Sequence, residues 1–160
     1  EGGAVIGVRL RSPGGPRFAI RGSRSGLFFA PSILSRQIES LHITEGESDA
    51  SAGFDLGLDV VGRPSCSGGV RLIERLVRSL APSSIVVIGD RDEPGERGAF
   101  ALARSLAILV RDVRVIFPAG PHADLRAWVN AGAKVEDLNT LVLAAEPLHV
   151  RVVLGGPHGR

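Results

Sequence analysis

Residues 85–95, Ile85-Val86-Val87-Ile88-Gly89-Asp90-Arg91-Asp92-Glu93-Pro94-Gly95, decide the fold. Four consecutive aliphatic residues with no polar alternation predict a strand buried on both faces, as in the centre of a parallel sheet. The run stops at Gly89 and two carboxylates. A helix is expected from about Gly95 to Leu109, with Ala99, Leu102, Ala103 and Leu106 turned inward. An earlier stretch has the same form. Leu41-His42-Ile43-Thr44-Glu45-Gly46-Glu47-Ser48-Asp49-Ala50 is an apolar run that stops at a carboxylate and a glycine, then passes into a helix over 47–56.

The pattern continues on either side of these two stretches. Val60 and Val61 lie in a short strand ending at Gly62-Arg63-Pro64. Ser67 is placed to cap a helix whose core stripe is Leu72, Leu76 and Leu80, with Ile73 and Val77 beside it and Arg71, Glu74, Arg75 and Arg78 opposite. A further strand is expected over 113–117, a helix over 125–129, and a last helix over 135–145 with Glu136 and Asp137 in its first turn. Strands and helices alternate from 41 to about 132, which predicts an α/β fold: a parallel sheet of about four strands flanked by helices. Before it, residues 4–21 read as a β-hairpin around the turn cluster Ser12-Pro13-Gly14-Gly15-Pro16, and 26–30 as a short strand closed by Pro31. The expected organisation is therefore a β-rich element over 1–40, the α/β domain over 41–132, and a helix with a linker tail over 133–160.

Composition narrows the function by exclusion. The chain has 160 residues, 44% hydrophobic and 22% charged, with no apolar run of membrane-spanning length. Its one cysteine, Cys66, excludes an internal disulfide and a cysteine-rich zinc site, so a reducing cytoplasm is expected and Cys66 reads as inert. No Tyr is present to act as a nucleophile on DNA. Lys134, the only lysine, does not sit in a phosphate-binding P-loop motif, which excludes an ATP-driven motor of that type. The absence of Met and the start at Glu1 suggest a piece of a longer protein. Net charge is only +2, but Arg9, Arg11, Arg17, Arg21 and Arg24 crowd the first 24 residues with Glu1 as their only acid, a local face suited to phosphates. His42 in its apolar strand reads as core, and Trp128 on its helix as packing.

In open parallel sheets, ligands bind beyond the carboxyl ends of the strands, where both Glu45 and Asp90 are expected. Asp92, two residues from Asp90, points the same way in extended chain, and Asp49 lies one helical turn beyond Glu45. Converging carboxylates repel unless a cation neutralises them, and hard cations such as Mg²⁺ bridge carboxylates to substrate phosphates. Gly46 and Gly95 leave room where backbone and phosphate approach, and the helix that starts near Gly95 offers free N–H groups to an anion. The competing account of Asp90 and Asp92 is that they cap a helix and shape a turn.

Thr44-Glu45-Gly46-Glu47-Ser48-Asp49-Ala50 and Asp90-Arg91-Asp92-Glu93-Pro94-Gly95, with Ala99 following, resemble the two signature motifs of the TOPRIM domain. That domain occurs in bacterial and phage primases, topoisomerases, some nucleases and recombination proteins. The resemblance covers roughly residues 41–132. It implies that Glu45 is a general acid or base that also holds metal, that Asp90 and Asp92 bind Mg²⁺ or Mn²⁺, and that Asp49 supports them. Phe117-Pro118-Ala119-Gly120-Pro121-His122-Ala123-Asp124-Leu125 resembles a primase segment in which Asp124 matches a substrate-binding residue. Ala123 stands where the family has lysine, with His122 and Arg126 as replacements for it. The basic hairpin resembles the piece that precedes TOPRIM in primases, which implies nucleotide or template contacts for Arg11 and Arg17. By this resemblance the function is Mg²⁺-dependent primer synthesis, a nucleotidyl transfer, from nucleoside triphosphates on single-stranded DNA, with a replicative helicase or helicase domain as a further partner and no membrane. The alternatives are a TOPRIM nuclease and a non-catalytic nucleic-acid-binding domain.

Overall fold

A computed structural model describes residues 7–11 and 17–149, without the side chains of Arg9, Arg11 and Arg17. The N-terminal hairpin forms: β1 (Arg9–Arg11) pairs antiparallel with β2 (Arg17–Ala19). A two-residue strand, β3 (Phe28–Phe29), and a 3-10 turn over Pro31–Ser35 lead to the α/β unit. There the order is β4 (Ser40–Glu45), α1 (Gly46–Asp55), β5 (Val60–Arg63), α2 (Val70–Leu80), β6 (Ser84–Ile88), α3 (Glu93–Leu106), β7 (Asp112–Ile116), α4 (Leu125–Asn130) and α5 (Val135–Ala144).

The main sheet has five strands in the order β3-β5-β4-β6-β7. Four are parallel, as the alternating pattern requires; β3 joins antiparallel at the β5 edge, with Phe28 opposite Gly62 and Phe29 opposite Val61. The central strands are covered on both faces, which explains their unbroken apolar sequence. Ile85 and Val87 of β6 face α2 and α3, packing with Ile73, Val77, Leu102 and Leu106. Val86 and Ile88 face the other way, with Leu125, Trp128 and Leu138 of α4 and α5. Trp128 and His42 are both buried, as their apolar settings suggested.

Three local expectations change. Helix α2 starts at Val70 rather than at a Ser67 cap; its cap residue is Gly69 in the left-handed conformation, at φ +77°. Ser65 accounts for the difference: its backbone and side-chain oxygens both accept from Gly68 N–H, which holds residues 65–68 in a turn. The buried side of α2 is Ile73 and Val77, while Leu72 is 37% exposed, because contact with the sheet and α3 turns the β-branched pair inward. Finally, the first residues of the expected tail lie against β7. Leu148 N–H donates to Val113 O at 2.8 Å, which covers the open edge of β7. Residues 150–160 lie outside the described residues.

Candidate functional site

The parallel register builds the site. The carboxyl ends of β4 and β6 lie side by side, so the residues that follow each strand arrive at one edge. Glu45 is the last residue of β4 and the cap residue of α1. Gly46 turns the chain there at φ +71°, a conformation that disfavours any side chain. Asp90 follows the end of β6 after Gly89. Asp92 caps α3, its Oδ1 accepting from Gly95 N–H at 2.6 Å. That cap starts α3 at Glu93, two residues earlier than expected, with Pro94 in the first turn where its missing N–H does no harm. The capping account is therefore correct for Asp92, and it applies together with the carboxylate cluster. Gly95 is required sterically, since a Cβ there would sit 2.7 Å from Asp90 O and 2.9 Å from Asp92 Oδ1.

A fifth carboxylate joins from a distant part of the chain. Asp124 caps α4, its Oδ1 accepting from Ala127 N–H at 2.7 Å, and Arg91 N–H donates to Ala123 O at 2.7 Å, fastening this loop to the Asp90 loop. Glu45, Gly46, Asp49, Asp90 and Asp124 line one open cleft of about 460 Å³ together with Pro64, Ser65 and Arg126. Of the other residues singled out from the sequence, Asp92 and Gly95 do not line this cleft but start α3, whereas the side chains of Arg11 and Arg17 lie outside the described residues.

Crowding changes the acidities. Burial, then the charges of Glu45, Asp49, Asp124 and Asp92, push the Asp90 carboxyl up to about 7. Asp49 is buried and raised to about 6 by desolvation and Asp124, against opposing hydrogen bonds from Arg126 N–H and from Asp90. Both carboxyls are thus raised in the same direction, as expected where acids crowd one another. Glu45 is raised chiefly by burial, and Arg63 pulls it back.

Arg63 is the member that the sequence did not reveal. The β4–β5 register sets it directly opposite Glu45. Its guanidinium is only 1% exposed and donates from Nη2 to Glu45 Oε1 at 3.2 Å and from Nη1 to Gly98 O at 3.3 Å. The only signal in the sequence is a charged residue ending an apolar strand, which does not name its partner. Arg126, a stand-in for the missing lysine in the sequence reading, is committed elsewhere. It donates to Ser48 O and to Asp55 Oδ2, fastening α4 to α1.

The donor set is all carboxylate oxygen, which fits a hard divalent cation. No three acidic side chains among the described residues close on a single coordination point. Among the described residues, no helix is long and apolar enough to cross a membrane.

This fold is that of the TOPRIM-containing catalytic core of DNA primases. The E. coli primase catalytic core matches at a TM-score of 0.67 and 18% identity, over 89% of this chain and 49% of that one. The primase fragment of the bacteriophage T7 primase-helicase matches at 0.64 and 16%, over 88% and 59%. A DnaG primase catalytic domain bound to single-stranded DNA matches at 0.63 and 19%, over 82% and 44%. The chain spans 44% to 59% of the length of these structures. No protein-family model and no curated protein matches it by sequence.

Proposed function

We propose that this chain carries the metal-dependent half of a primase-type nucleotidyltransferase, which joins nucleoside triphosphates into a primer on single-stranded DNA. The observation that carries this reading is the convergence of Glu45, Asp49, Asp90 and Asp124 on one cleft at the carboxyl edge of a primase-core sheet. Asp90 and Asp92 are the residues to hold Mg²⁺ or Mn²⁺, with Glu45 and Asp49 beside them. The ion, when bound, supplies positive charge to the phosphate oxygens as the attacked α-phosphate becomes more negative.

The chain's own residues do the rest. Asp90 and Asp49, whose crowding favours the protonated form, act as ligands once both are ionised. Arg63 holds Glu45 by Oε1, which leaves Oε2 to accept the proton of the attacking 3′-hydroxyl as the bond between the α- and β-phosphates breaks and pyrophosphate leaves. Asp124 holds the start of α4 at the cleft, where Arg126, Ala127 and Asn130 also line it.

The test incubates the protein with single-stranded DNA, labelled nucleoside triphosphates and Mg²⁺, beside an Asp90→Ala control. New oligonucleotides that vanish in the control support the proposal. Shortened DNA would instead identify a nuclease, with water as the attacking group. DNA binding with neither product would leave a non-catalytic domain on the same frame.

A further inference from the structure

We infer that the outer face of α2 and α3 is a track for a single-stranded nucleic-acid backbone. This deepens the proposed function, on which it rests, by naming a surface that holds the strand away from the carboxylate cleft. Arg71, Arg75 and Arg78 are exposed, and their spacing of four and three residues places them in one row along α2, about 10 Å from end to end. On α3, Arg97 and Arg104 are also exposed, seven residues apart, with the small residue Ala101 between them on the same side.

One depression lies between the two helices, with Arg97 in its lining and Arg71, Arg75, Arg78 and Arg104 outside it. A groove of about 350 Å³ lies between the helices, bordered by Val70 at the start of α2 and by Pro94, Arg97, Gly98 and Ala101 of α3. Its lining includes the small residues Cys66, Ser67, Gly98 and Ala101 beside the larger Leu102. The groove begins beside the site: Arg63 lines it, and the turn at Pro64 and Ser65 that leads into α2 also lines the carboxylate cleft.

Pairing separates these arginines from the structural ones. Arg36, Arg63, Arg114 and Arg126 each hold an acidic partner that ties two segments together or steadies a strand. Arg71, Arg75 and Arg78 have no acidic partner among the described residues, although Glu74 shares their helix. Arg97 pairs with Glu93 within one turn of its own helix, a contact exposed enough to yield to a phosphate. A row of exposed, uncommitted guanidiniums beside a shallow groove suits a flexible polyanion with regularly spaced phosphates.

The experiment measures binding of a fluorescent single-stranded oligonucleotide to the 160-residue chain by anisotropy across a salt series. The variant is Arg71→Gln/Arg75→Gln/Arg78→Gln, with its folding checked by thermal melting. Each phosphate contact on a single strand contributes about 0.7 to the slope of log K against log salt, so losing three flattens it by about 2. Between about 50 and 200 mM salt, the weakening of binding then shrinks roughly 15-fold. An unchanged slope and affinity in the folded variant overturns the inference, as does binding of an acidic polypeptide to this row with no binding of DNA. An Asp90→Asn protein separates this result from the catalytic reading. If the wild type makes no primer but the arginine-dependent slope remains in both proteins, the catalytic proposal falls and the track stands.

Discussion

Replacing Arg63 with Met tests the electrostatic design of the site directly. The Arg63 side chain is 1% exposed and that of Glu45 14%, so neither charge is well solvated; the register pairs them, and Asp90 adds a smaller attraction on Arg63. Removing one partner of a buried pair costs about 3–5 kcal/mol, because the survivor keeps its charge without compensation. The partial exposure of Glu45 argues for the lower end, about 3 kcal/mol. For a domain of this size each kcal/mol shifts Tm by about 2–8 °C, so Arg63→Met should melt roughly 10 °C lower. Glu45→Gln should behave similarly, since it strands the guanidinium instead. The double variant should recover part of the loss, giving a coupling energy of about 1–3 kcal/mol in a double-mutant cycle measured by thermal or urea unfolding. If Arg63→Met melts within about 2 °C of the parent, or the two losses simply add, the buried pair does not organise Glu45 and the reasoning fails.

Asp90 and Asp49 are raised to about 7 and 6, above their unfolded value, so the folded chain binds more protons than the unfolded one between pH 4 and 7. Stability without divalent ion should therefore fall as pH rises through that window. Added Mg²⁺ should reverse the fall near pH 7 and above, read as Tm against pH with and without the ion. Gly95→Ala places a methyl group 2.7 Å from Asp90 O and should cost about 1–3 kcal/mol and abolish synthesis, checked by unfolding and primer assays. Asp124→Asn keeps a capping oxygen for Ala127 N–H but removes a charge facing Asp49 and Asp90, so stability should change by less than about 1 kcal/mol while the pH at which Tm falls moves lower. Asp124→Ala loses the cap as well and should cost a further 0.5–2 kcal/mol or so.

Much of the frame was legible because it depends on local pattern. The unbroken run Ile85–Ile88 reads as a doubly covered strand, and the run is buried on both faces. The two strand ends carry carboxylate and glycine in a spacing readable without coordinates, and both reach the same edge. Local pattern was least informative for α2. Its apolar arc is broad enough to pack in more than one rotation, and the neighbouring helix chose Ile73 and Val77 over Leu72. The ambiguity at Asp92 had a different origin. One carboxylate can cap a helix through Oδ1 and still stand at a metal site, so the two readings were never exclusive.

The order of apolar runs, glycines and acids along the chain thus determined that this is a parallel α/β domain with acidic strand ends, since those signals act within a few residues. The tertiary structure decided which side chains meet. Arg63 faces Glu45 because β4 and β5 pair in a particular register, and Asp124 joins Asp90 because a hydrogen bond from Arg91 to Ala123 fastens two loops more than thirty residues apart. Such encounters depend on strand order and packing across the sheet, and no short-range pattern encodes them.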